Sequence, residues 1–279
     1  MSIILQSYAK INLTLRITSK NPKNGYHDLV SLFYKIPSGE NVILEPDKDL
    51  THDEIYSNIQ LSGENTILKA LRLSREFFPE KNIPYMRVNL FKTIPAGSGL
   101  GAGSGNAGAV INYLSAQYKI NEADKLELAV KTGADVTFFC CDCQCACMFG
   151  IGDEFYPADI SDLHGVILFP AWPAETQNAY KLVDEAYKNN YPLNELDAFK
   201  EVGDILKIFI KEQHIGLLPN DFSAILFPVH DEYKNIFSLL KKSGSYAFGV
   251  TGSGSAAFGL FHEPVKIELP EFINSVLYF

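Results

Sequence analysis

The sequence predicts an α+β fold in two domains, residues 1–160 and 161–279. Strand-like and helix-like apolar patterns alternate along the chain, and the pattern restarts with a new strand near residue 165. The order of segments after that restart resembles a split β-α-β-β-α-β unit with one inserted helix. A chain of 279 residues can build two ordinary domains, although one large domain is also compatible with this length.

In the first domain, the spacing of apolar residues and the turn residues predict several strands and the start of a helix. Apolar and polar residues alternate over residues 10–17, which predicts a half-buried strand with Lys10 and Asn12 on the face opposite the apolar residues. That face is either solvated or, if other motifs converge on it, part of a functional site. The Asn-Gly pair at residues 24 and 25 predicts a turn, followed by a strand over residues 30–34. Asn65 is a candidate N-cap for a helix, and residues 85–92 alternate like a further strand.

The most informative stretch runs from residue 95 to residue 108, and six of its residues are glycine. It lies between the strand at 85–92 and a helix over residues 107–114. Glycines let backbone N–H groups approach an anion, and a helix N-terminus adds unpaired donors, so the stretch predicts a phosphate-binding loop. It is not a Walker loop, because no Gly-Lys-Ser/Thr closes it. Two alternatives stay open here: a dinucleotide fingerprint at 103–108 with Asp124 as the ribose ligand, and a flexible loop that binds nothing.

Two features follow the glycine-rich stretch. A helix is predicted over residues 122–131, and Asp135 then lies between two apolar residues. Asp135 is either the N-cap of a following turn or a carboxylate that acts as a general base. All five cysteines fall between Cys140 and Cys147. Their alternation predicts a buried core strand, because zinc sites need C-x₂₋₄-C pairs and an odd count does not favour a disulfide framework.

The second domain is predicted from a similar alternation. Strands are expected at 166–169, 246–250, 256–261 and 275–279, and helices at 176–188, 195–213 and 229–242. A tight Thr-Gly-Ser-Gly turn at residues 251–254 connects two of these strands. Pro264 and Pro270 leave little room for a last helix before the final strand.

The charge balance disfavours two classes of partner. The chain has 24 Lys and Arg residues against 33 Asp and Glu residues, a net charge of −9, whereas nucleic acids and anionic membranes attract basic surfaces. No apolar run approaches the ~20 residues of a membrane-spanning helix, and the first residues lack the basic start of an export signal. We therefore expect a cytoplasmic protein with a small-molecule partner, and a monomer or weak homodimer.

Three motifs, in order, make the chain similar to the GHMP kinase superfamily. They are Ala-Lys-Ile-Asn at residues 9–12, the glycine-rich loop at 95–104, and the Thr-Gly-Ser-Gly turn at 251–254. The resemblance covers nearly the whole chain and implies a ribosomal protein S5 domain 2-like N-terminal domain and a ferredoxin-like C-terminal domain. It also implies phosphoryl transfer from ATP to a hydroxyl group, with magnesium as the counter-ion. The residues that it implies for ATP binding are Pro95, Ala96, Gly97, Ser98, Gly99, Leu100, Gly101, Ala102, Gly103 and Ser104.

Within the superfamily, the chain is most similar to kinases whose substrate carries a cytidine diphosphate head group. The triplet Gly25-Tyr-His27 carries this narrower resemblance. It implies that Tyr26 stacks on the base, that His27 hydrogen bonds to the base edge, and that Tyr180 forms the opposite wall. The other residues implied on the substrate side are Asn12, Thr251, Gly252, Ser253 and Gly254.

The resemblance implies two catalytic residues, Lys10 and Asp135. Asp135 would accept the hydroxyl proton, and Lys10 would keep that carboxylate ionised and offset charge on the transferred phosphoryl group. The magnesium ligands are not identified, although Ser104 and Glu64 are candidates. The alternatives are a GHMP kinase for another small alcohol, homoserine-like or mevalonate-like, and a non-catalytic nucleotide-binding paralogue. The presence of both Lys10 and Asp135 disfavours the paralogue.

Overall fold

The structure is a computed structural model that describes residues 2–61, 63–160, 162–188, 190–211 and 213–279. The chain forms two compact units, and each unit is assembled from separate parts of the sequence. The first unit contains Met1–Lys10, Lys35–Pro95 and Gly101–Cys143, and the second contains Ile11–Tyr34, Ala96–Leu100 and Gln144–Phe279. The predicted domain boundary between residues 160 and 161 stays a prediction.

The predicted elements occur in the predicted order, together with several short strands and helices that the sequence patterns do not predict. The strands are β1 (Ile3–Gln6), β2 (Ala9–Lys20), β3 (His27–Ile36), β4 (Asn41–Pro46), β5 (Glu54–Ser57), β6 (Met86–Phe91), β7 (Cys145–Phe149), β8 (Glu154–Ala158), β9 (His164–Pro170), β10 (Gly216–Leu217), β11 (Ala247–Val250), β12 (Ala257–Phe261) and β13 (Ile273–Tyr278). The helices are α1 (Thr66–Phe77), α2 (Ala102–Tyr118), α3 (Glu122–Thr132), α4 (Val136–Cys140), α5 (Thr176–Tyr187), α6 (Glu195–Ile210), α7 (Ser223–Leu226) and α8 (Glu232–Lys242).

The first unit is built on the four-stranded sheet β1-β4-β6-β5. Only the β5–β6 pair is parallel, and the other two pairs are antiparallel. Alternate residues of β4 and β6 are buried and pack against α1 and α2, which gives the core its two layers. Asn65 caps α1 as predicted, because its side chain accepts a hydrogen bond from the N–H of Ile67 at 2.9 Å.

The second unit contains the sheet β10-β11-β12-β9-β13 and most of the sheet β2-β3-β7-β8. Its main core joins apolar residues of β2, β9, β11 and β12 to those of α5, α7 and α8. The described residues between β12 and β13 form no helix, as Pro264 and Pro270 predict. The predicted helix at 195–213 ends at Ile210, and its position 212 lies outside the described residues.

Strand β2 is buried on both faces over residues 9–15, so the prediction of a half-buried strand is wrong there, and of the two alternatives for its polar face the solvated one is excluded. Lys10 is only 4% exposed and Asn12 only 2% exposed. The polar face is covered by protein groups: the N–H of Leu32 on β3 donates to Oγ1 of Thr14 at 3.0 Å. Strand spacing predicts which residues share a face, but not whether another element covers that face.

The prediction of a strand through the cysteine-rich stretch is wrong for the first half of that stretch. Cys140 ends the short helix α4, and strand β7 begins only at Cys145. Cys145 and Cys147 are buried on β7, as expected of core residues. None of the five cysteines forms a disulfide, and no group of three or more His, Cys, Asp or Glu side chains within the described ranges could hold a metal ion.

The burial of the thiols leads to a prediction about alkylation. Burial raises the pKa of Cys140 and of Cys147 to about 12, while Cys143 is partly exposed. Because only an accessible thiolate reacts, iodoacetamide should modify Cys143 first and leave Cys140 and Cys147 unmodified in the folded protein. Peptide mass spectrometry measures this order, with the urea-unfolded chain as the control in which all five react. Equal labelling of Cys140 and Cys143 in the native protein would contradict the described burial.

No helix among the described residues combines the length and the apolar character that a membrane crossing requires.

Candidate active site

The first half of the glycine loop lies against the Thr-Gly-Ser-Gly turn in the second unit. We call residues 95–104 the glycine loop and residues 251–254 the Gly-Ser-Gly turn. A Cβ atom on Gly99 would lie 2.1 Å from the carbonyl oxygen of Thr251, and Gly99 has φ +81°, so only glycine allows this approach. The Thr251 hydroxyl donates to the Gly99 carbonyl at 3.2 Å, and the N–H of Ala256 donates to the Ser98 carbonyl at 3.3 Å.

Asn12 connects strand β2 to the same turn. Its backbone N–H donates to Oγ1 of Thr251 at 3.0 Å, and its side-chain amide donates to Oγ of Ser31 at 2.8 Å. Thr251 is fully buried, so these bonds are shielded from water. Three stretches that the sequence singles out, around Asn12, Gly99 and Thr251, are therefore in contact within the second unit. In the same turn, the hydroxyl of Ser253 lies 2.9 Å from Oγ1 of Thr176.

The second half of the glycine loop begins helix α2 in the first unit. Gly101 precedes the helix with left-handed backbone, φ +64°. The first N–H groups of any helix have no partner within it and lie at the positive end of the helix dipole. Here these groups belong to Ala102, Gly103 and Ser104, and Oγ1 of Thr66 donates to the Gly103 carbonyl at 2.8 Å. The arrangement is suited to binding an anion such as phosphate.

A buried carboxylate, Glu40, connects the strand before the glycine loop to the helix after it. Its side chain is fully buried and lies 2.8 Å from Nζ of Lys92. It accepts hydrogen bonds from the N–H groups of Thr93 and Ile94 at 3.1 and 3.0 Å, and from the amide of Asn106 at 2.7 Å. Four donors satisfy the charge, as burial of a carboxylate requires. One side chain thus fixes both flanks of the loop.

Replacing Glu40 should test this anchoring. Glu40→Gln keeps the size but leaves Lys92 as an unpaired buried charge, so we expect a loss of about 3–5 kcal/mol in the free energy of unfolding. We also expect the glycine loop to bind a phosphate anion more weakly, because the loop loses its fixed position. Denaturant unfolding and anion titration measure the two effects. The control is Glu76→Gln, whose carboxylate is 54% exposed and which should change stability by less than about 0.5 kcal/mol. Equal stability of the two variants would refute the role of Glu40.

Lys10 and Asp135 form an ion pair within the first unit. Nζ of Lys10 lies 3.8 Å from Oδ2 of Asp135, whose side chain is 33% exposed. Burial lowers the pKa of Lys10, and the charge of Asp135 acts in the opposite direction. The Lys10 stem passes 3.2 Å from the position that a Cβ on Gly101 would occupy. The pair therefore lies beside the start of helix α2, next to the anion-binding N–H groups.

Asp135 stands at the N-cap position of α4, but its side chain makes no capping hydrogen bond. The N-cap alternative therefore explains only its backbone position. The carboxylate faces Lys10 and remains partly accessible to solvent, so a ligand hydroxyl could reach it. The side chain therefore does not act as a helix cap, and its partial exposure beside a cation is compatible with a general base.

The Gly-Tyr-His triplet lies where the turn meets β3, and its histidine has an aromatic neighbour. The His27 and Tyr180 rings are stacked, with centroids 4.6 Å apart and an interplanar angle of 19°. Tyr26 is 60% exposed, so its ring is accessible to a flat ligand. Nε2 of His27 lies 2.6 Å from a carboxylate oxygen of Asp184. The structure thus brings His27 and Tyr180 together, although 153 positions separate them in the sequence (180 − 27).

Sequence reasoning missed Glu40 and Asp184. Asp184 lies four residues after Tyr180 on α5, and the i, i+4 spacing places both on one helix face, so a usable signal existed. Glu40 follows a break in the pattern and belongs to no motif. Only the three-dimensional structure shows that it accepts bonds from Thr93, Ile94 and Asn106.

The chain matches known proteins in both its N-terminal and its C-terminal parts. Residues 65–149 match the model of the GHMP kinases N terminal domain, and residues 197–277 match that of the GHMP kinases C terminal. A 4-diphosphocytidyl-2-C-methyl-D-erythritol kinase from Bacteroides fragilis is 34% identical over 278 residues, which cover 95% of this chain and 94% of the relative.

Solved structures give the same result. A crystal structure of 4-(cytidine 5'-diphospho)-2C-methyl-D-erythritol kinase matches with a TM-score of 0.75 and 27% identity, over 95% of this chain and 91% of that one. A homoserine kinase from Cytophaga hutchinsonii has a TM-score of 0.67 at 16% identity, over 93% of this chain and 85% of that one, and shows the fold alone. The predicted α+β fold of two domains is confirmed, and the chain belongs to the GHMP kinase family.

Proposed function

We propose that this chain transfers the γ-phosphoryl group of ATP to the 2-hydroxyl of 4-diphosphocytidyl-2-C-methyl-D-erythritol, a step toward isoprenoid precursors. The observation that carries the choice of acceptor is the stacked His27–Tyr180 pair, with the exposed Tyr26 directly before His27 in the sequence, in a chain similar to kinases of that name. Flat aromatic rings and a histidine suit a nucleobase. A homoserine-like or mevalonate-like acceptor has no base for these residues to hold.

The glycine loop supplies the groups that hold ATP. The backbone N–H groups of residues 96–104 would donate to the phosphate oxygens, and the first turn of α2 adds its dipole. Ser98, Gly99 and Gly101 keep the backbone in the required conformation through their contacts with neighbouring elements. Such preorganised donors stabilise the charge that develops on the phosphoryl group during transfer.

Lys10 and Asp135 carry the chemistry of the transfer. The acceptor oxygen forms a bond to the γ-phosphorus of ATP while the bond from that phosphorus to the bridging oxygen breaks, and ADP leaves. Asp135 takes the proton of the acceptor hydroxyl. The ammonium group of Lys10 offsets the negative charge of the carboxylate and of the transferred group, and the anionic triphosphate favours its charged form.

The substrate side is assigned to residues of the second unit. Tyr26 stacks on the cytosine, His27 hydrogen bonds to the base edge, and Tyr180 provides the second aromatic surface. Asn12 and the Gly-Ser-Gly turn, residues 251–254, orient the rest of the substrate, and the buried hydrogen bonds described above hold these protein groups in place. The substrate is a small molecule with a cytidine diphosphate head group.

Magnesium is proposed as the counter-ion of ATP, where it neutralises phosphate charge and polarises the transferred group. Within the described residues no carboxylate cluster is arranged for it, and Glu64 is paired with Arg72 at 3.2 Å. The hydroxyl of Ser104 in the first turn of α2 fits the hard oxygen donors that this ion prefers. Ser104 is therefore the protein ligand that we propose, and ATP oxygens supply others.

An acceptor panel tests the proposed function. The protein is incubated with ATP and, in turn, with the diphosphocytidyl alcohol, homoserine and mevalonate, and ADP release is measured. We expect turnover with the first acceptor only, and Tyr26→Ala should raise the KM for that acceptor by roughly 5-fold to 150-fold, since stacking on a base contributes about 1–3 kcal/mol. Turnover of homoserine or mevalonate alone would favour a kinase for another small alcohol.

A further inference from the structure

We propose that Asp184 is a positioning residue that holds His27 in the one tautomer able to select a cytosine head group over a uracil head group. The inference rests on the proposed function, because it takes His27 as the residue that meets the base edge. It adds a reason for base specificity and a residue that no motif identifies. The side chains involved all belong to the second unit.

The carboxylate of Asp184 accepts hydrogen bonds from three side chains. Nε2 of His27 lies 2.6 Å from its Oδ1, and the hydroxyl of Tyr191 donates to the same oxygen at 2.7 Å. Nζ of Lys20 lies 2.5 Å from the second oxygen, Oδ2. Partial burial acts to raise the pKa of Asp184, but the hydrogen bonds from Lys20, His27 and Tyr191 outweigh it and lower this pKa to about 2. Asp184 is therefore ionised at neutral pH.

An ionised carboxylate can only accept hydrogen bonds, so the proton of the His27 imidazole must be on Nε2. In the tautomer that carries its proton on Nε2, the other ring nitrogen, Nδ1, is an acceptor. Lys20 pairs with the other oxygen of the same carboxylate. No described residue hydrogen bonds to Nδ1, and this nitrogen is left for a ligand.

The orientation of the ring is fixed as well as its tautomer. Tyr180 stacks on one face at 4.6 Å, and the ring of Tyr191 meets the imidazole edge-on at 6.1 Å between centroids. The side chain of His27 is only 7% exposed. With rotation and proton position both restricted, Nδ1 is a preorganised acceptor.

An acceptor at this position distinguishes the two pyrimidines. Cytosine presents an amino group at C4, which donates, whereas uracil presents a carbonyl oxygen there, which only accepts. Nδ1 of His27 can accept from the first and opposes the lone pairs of the second. A single hydrogen-bond mismatch of this kind typically costs about 1–3 kcal/mol, which corresponds to roughly 5-fold to 150-fold in affinity.

The test compares cytidine and uridine ligands in the wild type and in Asp184→Asn. The amide of asparagine can accept from or donate to Nε2, so both tautomers become available. We expect the wild type to bind CDP at least about 10-fold more tightly than UDP, and the variant to lose most of that ratio. In Asp184→Asn, the ratio of kcat/KM for the cytidine form of the substrate to kcat/KM for the uridine form should fall by the same factor as the ratio of affinities. The KM for ATP should not change.

Two readouts separate positioning from a merely structural role. Long-range ¹⁵N–¹H spectra of the wild type should show His27 with its proton on Nε2, and the variant should show a mixture of tautomers. Asp231→Asn is the matched control, because it removes an exposed carboxylate paired with Lys234 in the same unit and should preserve the CDP-to-UDP ratio. If the wild type carried its proton on Nδ1, or if Asp184→Asn weakened both nucleotides equally, the proposal would be overturned. Failure of the proposed function looks different: CDP is still preferred, but the substrate is not phosphorylated.

Discussion

Asp135→Asn should lower kcat by about 10²-fold to 10⁴-fold, the usual contribution of a general base. The amide keeps the size and the N-cap position of Asp135 but cannot take the hydroxyl proton. ATP binding should be retained, because the glycine loop and the first turn of α2 are not changed. Rapid-quench measurement of a single turnover gives the rate of transfer, and titration with a non-hydrolysable ATP analogue gives the affinity.

The control for this variant is Asp142→Asn, which removes an exposed carboxylate that lies shortly after the same helix, α4. We expect its kcat to equal that of the wild type. If Asp135→Asn turned over normally, the carboxylate would not be the base. If it lost ATP binding as well, its role would be to shape the loop rather than to accept a proton.

Lys10→Met should lower the activity of the protein without lowering its stability. We expect kcat/KM to fall by about 10²-fold to 10³-fold, since removal of one preorganised charge from a transfer site has effects of this size. The free energy of unfolding should stay at or above that of the wild type. Burial lowers the pKa of Lys10, and replacement of a buried charge by an apolar side chain of similar length is often neutral or stabilising. Asp135 remains hydrated because a third of its side chain is exposed.

The pH dependence of stability tests the same variant independently. A lowered pKa in the folded state means that the folded protein binds fewer protons at Lys10 than the unfolded chain does, between that lowered pKa and the ordinary value of 10.5. Wild-type stability therefore gains a contribution as pH rises through this window, and the contribution is absent at lower pH. Lys10→Met should lack this rise in urea unfolding at alkaline pH. A rise of equal size in both proteins would contradict the lowered pKa.

Local pattern predicted the parts of the site that depend on local structure. A glycine-rich stretch between a strand and a helix forms a helix N-terminus because glycine conformation and helix ends are local properties. Asn65 as a cap and the prolines that exclude a last helix are of the same kind. The motif resemblance then gave the family, because three motifs in one order are far more specific than any one of them.

The remaining features depend on contacts between distant residues. Asn12 is buried among protein groups that include Thr251, which lies 239 positions away and accepts from its backbone N–H. The start of strand β7 after Cys143 is likewise set by its pairing with β3, where Cys145 is opposite Tyr34. Glu40 has no motif, and its function arises only when separate chain segments supply four donors. No alternation of residues along one segment contains that information.

The most direct measurement of the central claim is ³¹P NMR of the reaction with ATP and 4-diphosphocytidyl-2-C-methyl-D-erythritol. We predict that one new phosphomonoester signal grows as ADP forms, in equal amounts, while the two diphosphate signals of the acceptor persist. The new phosphate signal should show no three-bond coupling to a proton, because C2, the carbon that carries the 2-oxygen, bears no hydrogen. Release of inorganic phosphate with an unchanged acceptor, or loss of the diphosphate signals, would contradict transfer to the 2-hydroxyl.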